Sequence, residues 1–213
     1  MMKISFFGQS CFEIITLPKK QSQVKIVIDP FSEETGLFLP KLSADILLVT
    51  HSHSDHSNLK AVKGDYFLIS EPGEYEVKGV FVEAIKSFHN ERGEENLTFK
   101  IESENLKICH LGDLGQKELT EEQVDKIGQV DILMIPVGGV YTISPKEAKN
   151  IISQIEPKIV IPMHYFLPGL KWKLKSLDEF LSEIGKKKIE RVKNPLKIDQ
   201  KTLESEKIIV FEI

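Results

Sequence analysis

Residues 50–56 read Thr50-His51-Ser52-His53-Ser54-Asp55-His56, so three of the chain's six histidines and an aspartate fall within six residues. Ile46-Leu47-Leu48-Val49 runs directly into them, a short apolar block of the kind that forms a strand buried on both faces. Such a junction ends a rigid strand in a loop dense with ligand-type side chains and holds chemistry at a sheet edge. A helix does not suit the spacing, because side chains meet on a helix at i, i+3 or i, i+4 and His51 and His53 would diverge. In a tight turn the two imidazoles can converge on one metal, with Asp55 and His56 facing a neighbouring one. Imidazole with carboxylate suits zinc, iron or manganese better than calcium or magnesium. The bland alternative is a histidine-rich surface loop, but four ligand-type residues in six are a rare accident.

At 213 residues and 24.2 kDa the chain suits one domain, residues 1–213, with a sizeable core. Its 41% hydrophobic and 28% charged content is that of an ordinary globular protein. A net charge of −4 and a pI near 5.9 make nucleic acid a poor general partner. The apolar runs are too short to span a bilayer. Met1–Phe7 enters strand-like sequence without a signal-peptide layout, so the expected setting is cytoplasmic with no membrane partner. Cys11 and Cys109 sit in apolar strand contexts and read as buried, reduced thiols.

Along the chain, Lys3–Phe7, Cys11–Leu17 and Val24–Asp29 read as three strands joined by Gly8-Gln9-Ser10 and a polar turn over 18–22, an antiparallel start. Asp29 has two readings, a turn residue or a carboxylate that orients a ligand in the loop at 50–56. A short helix is expected over Asn58–Lys63, a strand at Phe67–Ile69, and a hairpin of Tyr75–Val77 with Val80–Phe88. That hairpin ends at His89, beside a polar loop over 90–96. A second hairpin, Asn96–Ser103 with Leu106–Leu111, runs into His110-Leu111-Gly112-Asp113-Leu114-Gly115, where the glycines allow tight backbone around Asp113. Asp113 reads either as a turn aspartate or as a carboxylate bridging two metals.

A helix follows over Glu118–Ile127, then a buried strand Asp131–Pro136. The strand ends in Val137-Gly138-Gly139, whose glycines suggest close approach of a substrate. Ser144 and Pro145 suit the cap and first position of a helix to about Gln154. Lys158–Pro162 is the last core strand, ending at His164. Trp172–Lys188 reads as a helix with a basic solvated face, and Arg191–Lys197 and Ile208–Ile213 as edge strands. Four separate strand ends thus carry His51–His56, His89, Asp113 and His164.

The pattern His-x-His-x-Asp-His, with Gly112-Asp113 and Ile161-Pro162-Met163-His164-Tyr165, resembles the metallo-β-lactamase-fold hydrolases over nearly the whole chain. Pro72-Gly73-Glu74-Tyr75-Glu76-Val77 and Pro136-Val137-Gly138-Gly139 resemble a small prokaryotic branch, distantly similar to the ascorbate-phosphate lactonases. The resemblance implies an α+β fold, a four-layer αββα sandwich with metals at one edge. It implies that His51, His53 and His89 hold one divalent ion, that Asp55, His56 and His164 hold a second, and that Asp113 bridges them. Zinc is the expected ion, with Mn²⁺ or Fe²⁺ as substitutes. His110 receives no ligand role and is expected to support one. Two metals about 3.5–4 Å apart can activate a shared water, giving a hydroxide that attacks an ester, lactone or phosphodiester. Asp55 would orient that nucleophile and pass on its proton. His53, where flavodiiron oxygen reductases carry glutamate, weighs against an oxidoreductase. The expected partner is a small-molecule substrate, and the oligomeric state is left open. The alternatives are a nuclease or phosphodiesterase acting on nucleic acid, supported only by the lysines of 171–193, or a metal-binding module without turnover.

Overall fold

Alternation sets the first strand. Met2, Ile4 and Phe6 are buried while Lys3, Ser5 and Phe7 are half-exposed, the period of two that fits a sheet with one face on a core. The structure, a computed structural model, describes residues 1–18, 22–90, 93–185, 187–203 and 205–213. The expected turn over 18–22, the loop over 90–96 and Lys186 fall partly or wholly outside those residues. In chain order the elements begin β1 (Met2–Gly8), β2 (Cys11–Thr16), β3 (Val24–Ile28), β4 (Leu42–Ser43), β5 (Ile46–Leu48), β6 (Val62–Lys63) and β7 (Phe67–Ile69). β8 (Gly73–Val77), β9 (Val80–Phe88), β10 (Glu95–Ser103) and β11 (Leu106–His110) follow. Then come α1 (Glu121–Ile127), β12 (Ile132–Pro136), α2 (Pro145–Ile155), β13 (Ile159–Met163) and α3 (Leu177–Ile184). β14 (Lys188–Lys193), β15 (Leu196–Ile198) and β16 (Lys207–Glu212) close the chain.

One sheet has the order β15-β1-β2-β3-β5-β7 and the other β14-β16-β13-β12-β11-β10-β9-β8. Both are antiparallel where hairpins join consecutive strands and parallel where longer crossovers do. The shared core lies between them. Ile4, Phe6, Phe12, Ile14 and Leu48 from the first sheet meet Val82, Phe99, Ile101, Ile108 and Phe211 from the second. Ala148, Ile151 and Ile152 of α2 and Phe180 of α3 belong to the same cluster, on the outer face of the larger sheet. Over the smaller sheet the outer layer is thin. There Val27, Leu47, Phe31, Leu42 and Val62 form a second cluster under the β4–β6 ribbon and short 3₁₀ turns at Glu33–Thr35 and Leu59–Ala61. This is the expected four-layer sandwich with one outer layer reduced. β5 is buried on both faces, Ile46 and Leu48 in one cluster and Leu47 in the other.

Three expectations are corrected. The helix expected over Trp172–Lys188 is only Leu177–Ile184. Residues 165–176 instead form an irregular strap whose backbone bonds reach other loops: Lys171 N–H donates to Thr35 O (2.9 Å) and Lys175 N–H to Gly138 O (2.7 Å). Tertiary hydrogen bonds override local helix preference there. The strand expected at an edge over Ile208–Ile213 lies inside the larger sheet, between β13 and β14. Ile208, Ile209, Val210 and Phe211 are consecutively buried, the mark of a strand covered on both faces. The expected helix over Asn58–Lys63 is a single 3₁₀ turn, Leu59–Ala61, followed by β6. Among the described residues no helix is long and apolar enough to cross a membrane.

Phe12 joins the layers. It stacks on Phe6 at 4.8 Å and meets His110 of β11 and Phe211 of β16 edge-on at 5.8 and 6.5 Å. Phe12→Ala should therefore lower unfolding free energy by about 3–5 kcal/mol. Urea unfolding checks this, and a loss below about 1 kcal/mol would show that the sheets do not depend on this contact.

Candidate metal centre

The loop after β5 folds tightly because His56 N–H and Ser57 N–H both donate to His53 O, at 2.9 and 3.0 Å. That turn brings His51 and His53 together, and β9 delivers His89 beside them. Donor atoms of His51, His53 and His89 lie within 4.8 Å of one another. Asp55, His56, Asp113 and His164 form a second group on the same criterion, all four buried. The rings of His51 and His56 are 4.2 Å apart and link the two groups.

Hydrogen bonds on the outer side of each ring decide which nitrogen faces inward. Thr50 Oγ1 donates to Asp29 Oδ2 (2.7 Å), so it is left to accept from His51 Nδ1 (3.0 Å). His53 Nε2 meets Glu94 Oε1 (2.8 Å), His56 Nδ1 meets Asp29 Oδ2 (2.8 Å) and His89 Nδ1 meets the Asp113 carbonyl (2.9 Å). In each case an acceptor fixes the proton outside and turns a lone pair inward. Asp29 is thus the orienting carboxylate, not a mere turn residue. Its other oxygen accepts Thr50 N–H at 2.8 Å.

Charge follows burial and neighbours. Burial first, then the neighbouring His56, pushes His51 down to about 4. Burial alone would also depress His56, but the Asp113 and Asp29 carboxylates outweigh it and hold that imidazole well above the ordinary histidine value. Burial would raise Asp55 and Asp113, yet His164 and His56 hold both carboxyls far below the usual range.

The sequence model of the beta-lactamase superfamily domain matches residues 3–164. The chain belongs to the β-lactamase superfamily. A UPF0173 metal-dependent hydrolase of Thermococcus onnurineus is 29% identical over 196 residues, covering 78% of this chain and 85% of that protein. A UPF0173 protein of Pyrococcus abyssi is 30% identical over 186 residues, covering 77% and 83%. Among solved structures, a Thermotoga maritima protein assigned by inference as a Zn-dependent hydrolase of the metallo-beta-lactamase superfamily is 40% identical. It covers 100% of this chain and 99% of its own, with a TM-score of 0.83. YhfI of Bacillus subtilis, at 12% identity and a TM-score of 0.62 over 99% and 96% of the two chains, shares the fold.

In this β-lactamase-superfamily chain each of the two groups could hold a metal ion. His51 Nε2 and His53 Nδ1 face each other at 3.1 Å with both outer nitrogens already bonded to acceptors, so two lone pairs confront one another. His56 Nε2 is buried and makes no hydrogen bond, although Asp55 Oδ2 and Asp113 Oδ2 each lie 3.2 Å away. The distances suit a shared cation and the angles do not suit N–H donation. His110 does not join them. Its Nε2 meets Ser10 O (2.9 Å) and its Nδ1 accepts Gly112 N–H (3.1 Å), leaving no lone pair for a metal.

Several supporting residues had no signal in the sequence. Gln9 Nε2 donates to Asp55 Oδ2 (3.3 Å), and Ser10 Oγ to Asp113 Oδ1 (3.3 Å), from a turn that looked generic. Asn96 Oδ1 accepts Asp113 N–H (3.0 Å), and Glu94 had been placed only in a loop. The tight backbone expected near Asp113 is found: a Cβ on Gly115 would lie 1.7 Å from the His89 carbonyl oxygen. Gly138 differs from its reading as a substrate-approach residue, since a Cβ there would lie 2.1 Å from the carbonyl of His164. It makes room for backbone that carries a histidine.

Two cavities adjoin the centre. One of about 280 Å³ is lined by His53, Asp55, His89, Asp113, His164, Tyr141 and Trp172, and so reaches both groups. A larger cleft of about 540 Å³ opens behind His51 and His53 and touches only the first group. Asp29→Asn should leave the fold intact by circular dichroism while weakening metal binding about 10–100-fold, because an amide cannot accept all three bonds. Competition against a chelator measures it, and unchanged affinity would remove Asp29 from the centre.

Proposed function

We propose that the chain is a metal-dependent hydrolase that uses two divalent ions, zinc or in its place manganese or iron(II), on a small ester, lactone or phosphodiester. The observation that carries this reading is the gathering of ligand atoms into two groups, His51, His53 and His89 in one and Asp55, His56, Asp113 and His164 in the other, each within 4.8 Å. The naming of its relatives as metal-dependent hydrolases supports it. His51 Nε2, His53 Nδ1 and His89 Nε2 would hold one ion, His56, His164 and Asp55 would hold the other, and Asp113 would serve both. When bound, the ions supply Lewis acidity that lowers the pKa of a water toward about 7 and steadies charge developing on a carbonyl or phosphoryl oxygen.

The chain's own residues then divide the remaining work. Asp55, buried but lining the smaller cavity, orients the nucleophile and carries its proton to the leaving group. Gln9 steadies that carboxylate from below with its amide N–H. Asn96 and Ser10 hold Asp113 from two sides, so it keeps its position between the ion sites as charge moves. Among the described residues the smaller cavity has no lysine or arginine in its wall, which supports a small-molecule substrate over nucleic acid.

Elemental analysis of chelator-free protein should find two transition-metal ions per chain. A value that stays near one in excess zinc or manganese would end the two-ion mechanism. Asp113→Ala should lose the second ion and hydrolysis together. His110→Ala should keep both ions, with affinity changed by about 10–100-fold at most. The reverse result would overturn the ligand assignment in this segment. Replacing Lys186, Lys187 and Lys188 by Gln should leave turnover of small substrates within a few-fold, and a large loss confined to polyanions would favour a nuclease.

A further inference from the structure

We propose that the substrate carries a planar, uncharged ring next to the bond that is cut, and that Tyr141 and Trp172 form the wall that selects it. This rests on the hydrolase reading and names the substrate class of the same centre. Among the described residues, all that line the smaller cavity except these two belong to the candidate metal groups, so its described recognition wall is two aromatic side chains. Those described residues offer no cationic anchor to an acid or phosphate, whereas the flat faces of Tyr and Trp favour another ring by stacking.

The wall is built, not incidental. Tyr141 is 52% exposed and Val140 64%, unusual for large apolar side chains. Tyr141 N–H donates to Gly139 O (2.7 Å), closing a γ-turn whose central residue Val140 has φ 64°. That is the rare, strained form of the turn, and a β-branched residue adopts it poorly. Strain of this kind persists where surrounding contacts enforce it. The enforcing contacts are present. Gly138 is pressed against the carbonyl of His164, and Lys175 N–H bonds Gly138 O while Lys175 O accepts Phe166 N–H (2.9 Å). The strap that carries Trp172 is thereby held in register with the loop that carries Tyr141 and with the His164 ligand.

The lysines of the strap do not alter this picture. Lys171, Lys173 and Lys175 are exposed and alternate with the half-buried Trp172 and Leu174. Lys175 Nζ pairs with Glu179 Oε2 at 3.3 Å. The stems of Lys171 and Lys175 lie over Gly36 and Gly139.

The test compares phenylacetohydroxamate with acetohydroxamate on the metal-loaded protein. Both carry the same metal-binding group and only the ring differs. Trp172 is the single tryptophan, so its fluorescence reports the wall directly, and calorimetry gives the affinities. The aryl compound should bind at least about tenfold tighter and perturb Trp172 emission, an effect of the size stacking produces. Tyr141→Ala should remove most of that preference with metal content unchanged, and Tyr141→Phe should restore it. Equal binding of the two compounds, or a preference that survives both Tyr141→Ala and Trp172→Ala, would overturn the proposal. So would pyrophosphate binding more tightly than the aryl compound. Turnover separates the two readings. Aryl and alkyl esters hydrolysed at equal efficiency defeat the ring alone, while aryl preference in binding with no hydrolysis of any ester defeats the hydrolase and leaves the ring site standing.

Discussion

A buried carboxylate at the end of β3 holds the metal centre in order. Asp29 is fully enclosed and accepts from Thr50 N–H, Thr50 Oγ1–H and His56 Nδ1. A buried carboxyl group in that position is tolerable because both of its oxygens accept hydrogen bonds. Through His56 it fixes one ion group, and through Thr50 and His51 it fixes the other. Thr50 O in turn accepts Leu97 N–H of β10 at 2.9 Å, which ties the same residue to the second sheet. On the opposite side His164 N–H bonds Gln9 O at 2.8 Å, again from one sheet to the other. The two sheets are therefore laced together at the centre itself.

The two groups differ in charge, and this shapes what each can do. His51, His53 and His89 offer imidazole nitrogen only, with the nearby Glu94 carboxylate bonded to the far side of His53. The other group brings two carboxylates that neighbouring imidazoles keep ionised. Unequal charge at short range would make any ions held there unequal as well, one by lone pairs and the other by formal charge. The smaller cavity is lined by residues of both groups.

Much of this was legible in the chain before its coordinates. Repetition gave the centre away, because His89, Asp113 and His164 each follow an apolar run in the manner of His51. Such runs report burial whatever they are buried against. Contacts between distant turns leave no such trace. Gln9 and Ser10 sit in a turn like many others, and only packing against Asp55 and Asp113, 46 and 103 residues away, gives them a role. The strap failed for a related reason: Trp172-Lys173-Leu174 has acceptable helix residues, and its backbone partners at Thr35 and Gly138 are invisible from within the segment. β16 ends the chain yet lies inside the larger sheet, and its run of four consecutively buried residues is the sign of that place.

The glycines at 115 and 138 have a bearing on how such a chain can change over generations. Each is pressed against the carbonyl of a histidine that the centre needs, at separations no side chain can enter. Drift is closed to these positions, and with them to the placement of His89 and His164. Val140 and Tyr141 stand in the open a few residues from Gly138, where most replacements meet only solvent. A lineage can therefore alter what it admits while the chemistry beneath stays fixed. Family members sharing this floor are free to differ in diet more readily than in trade.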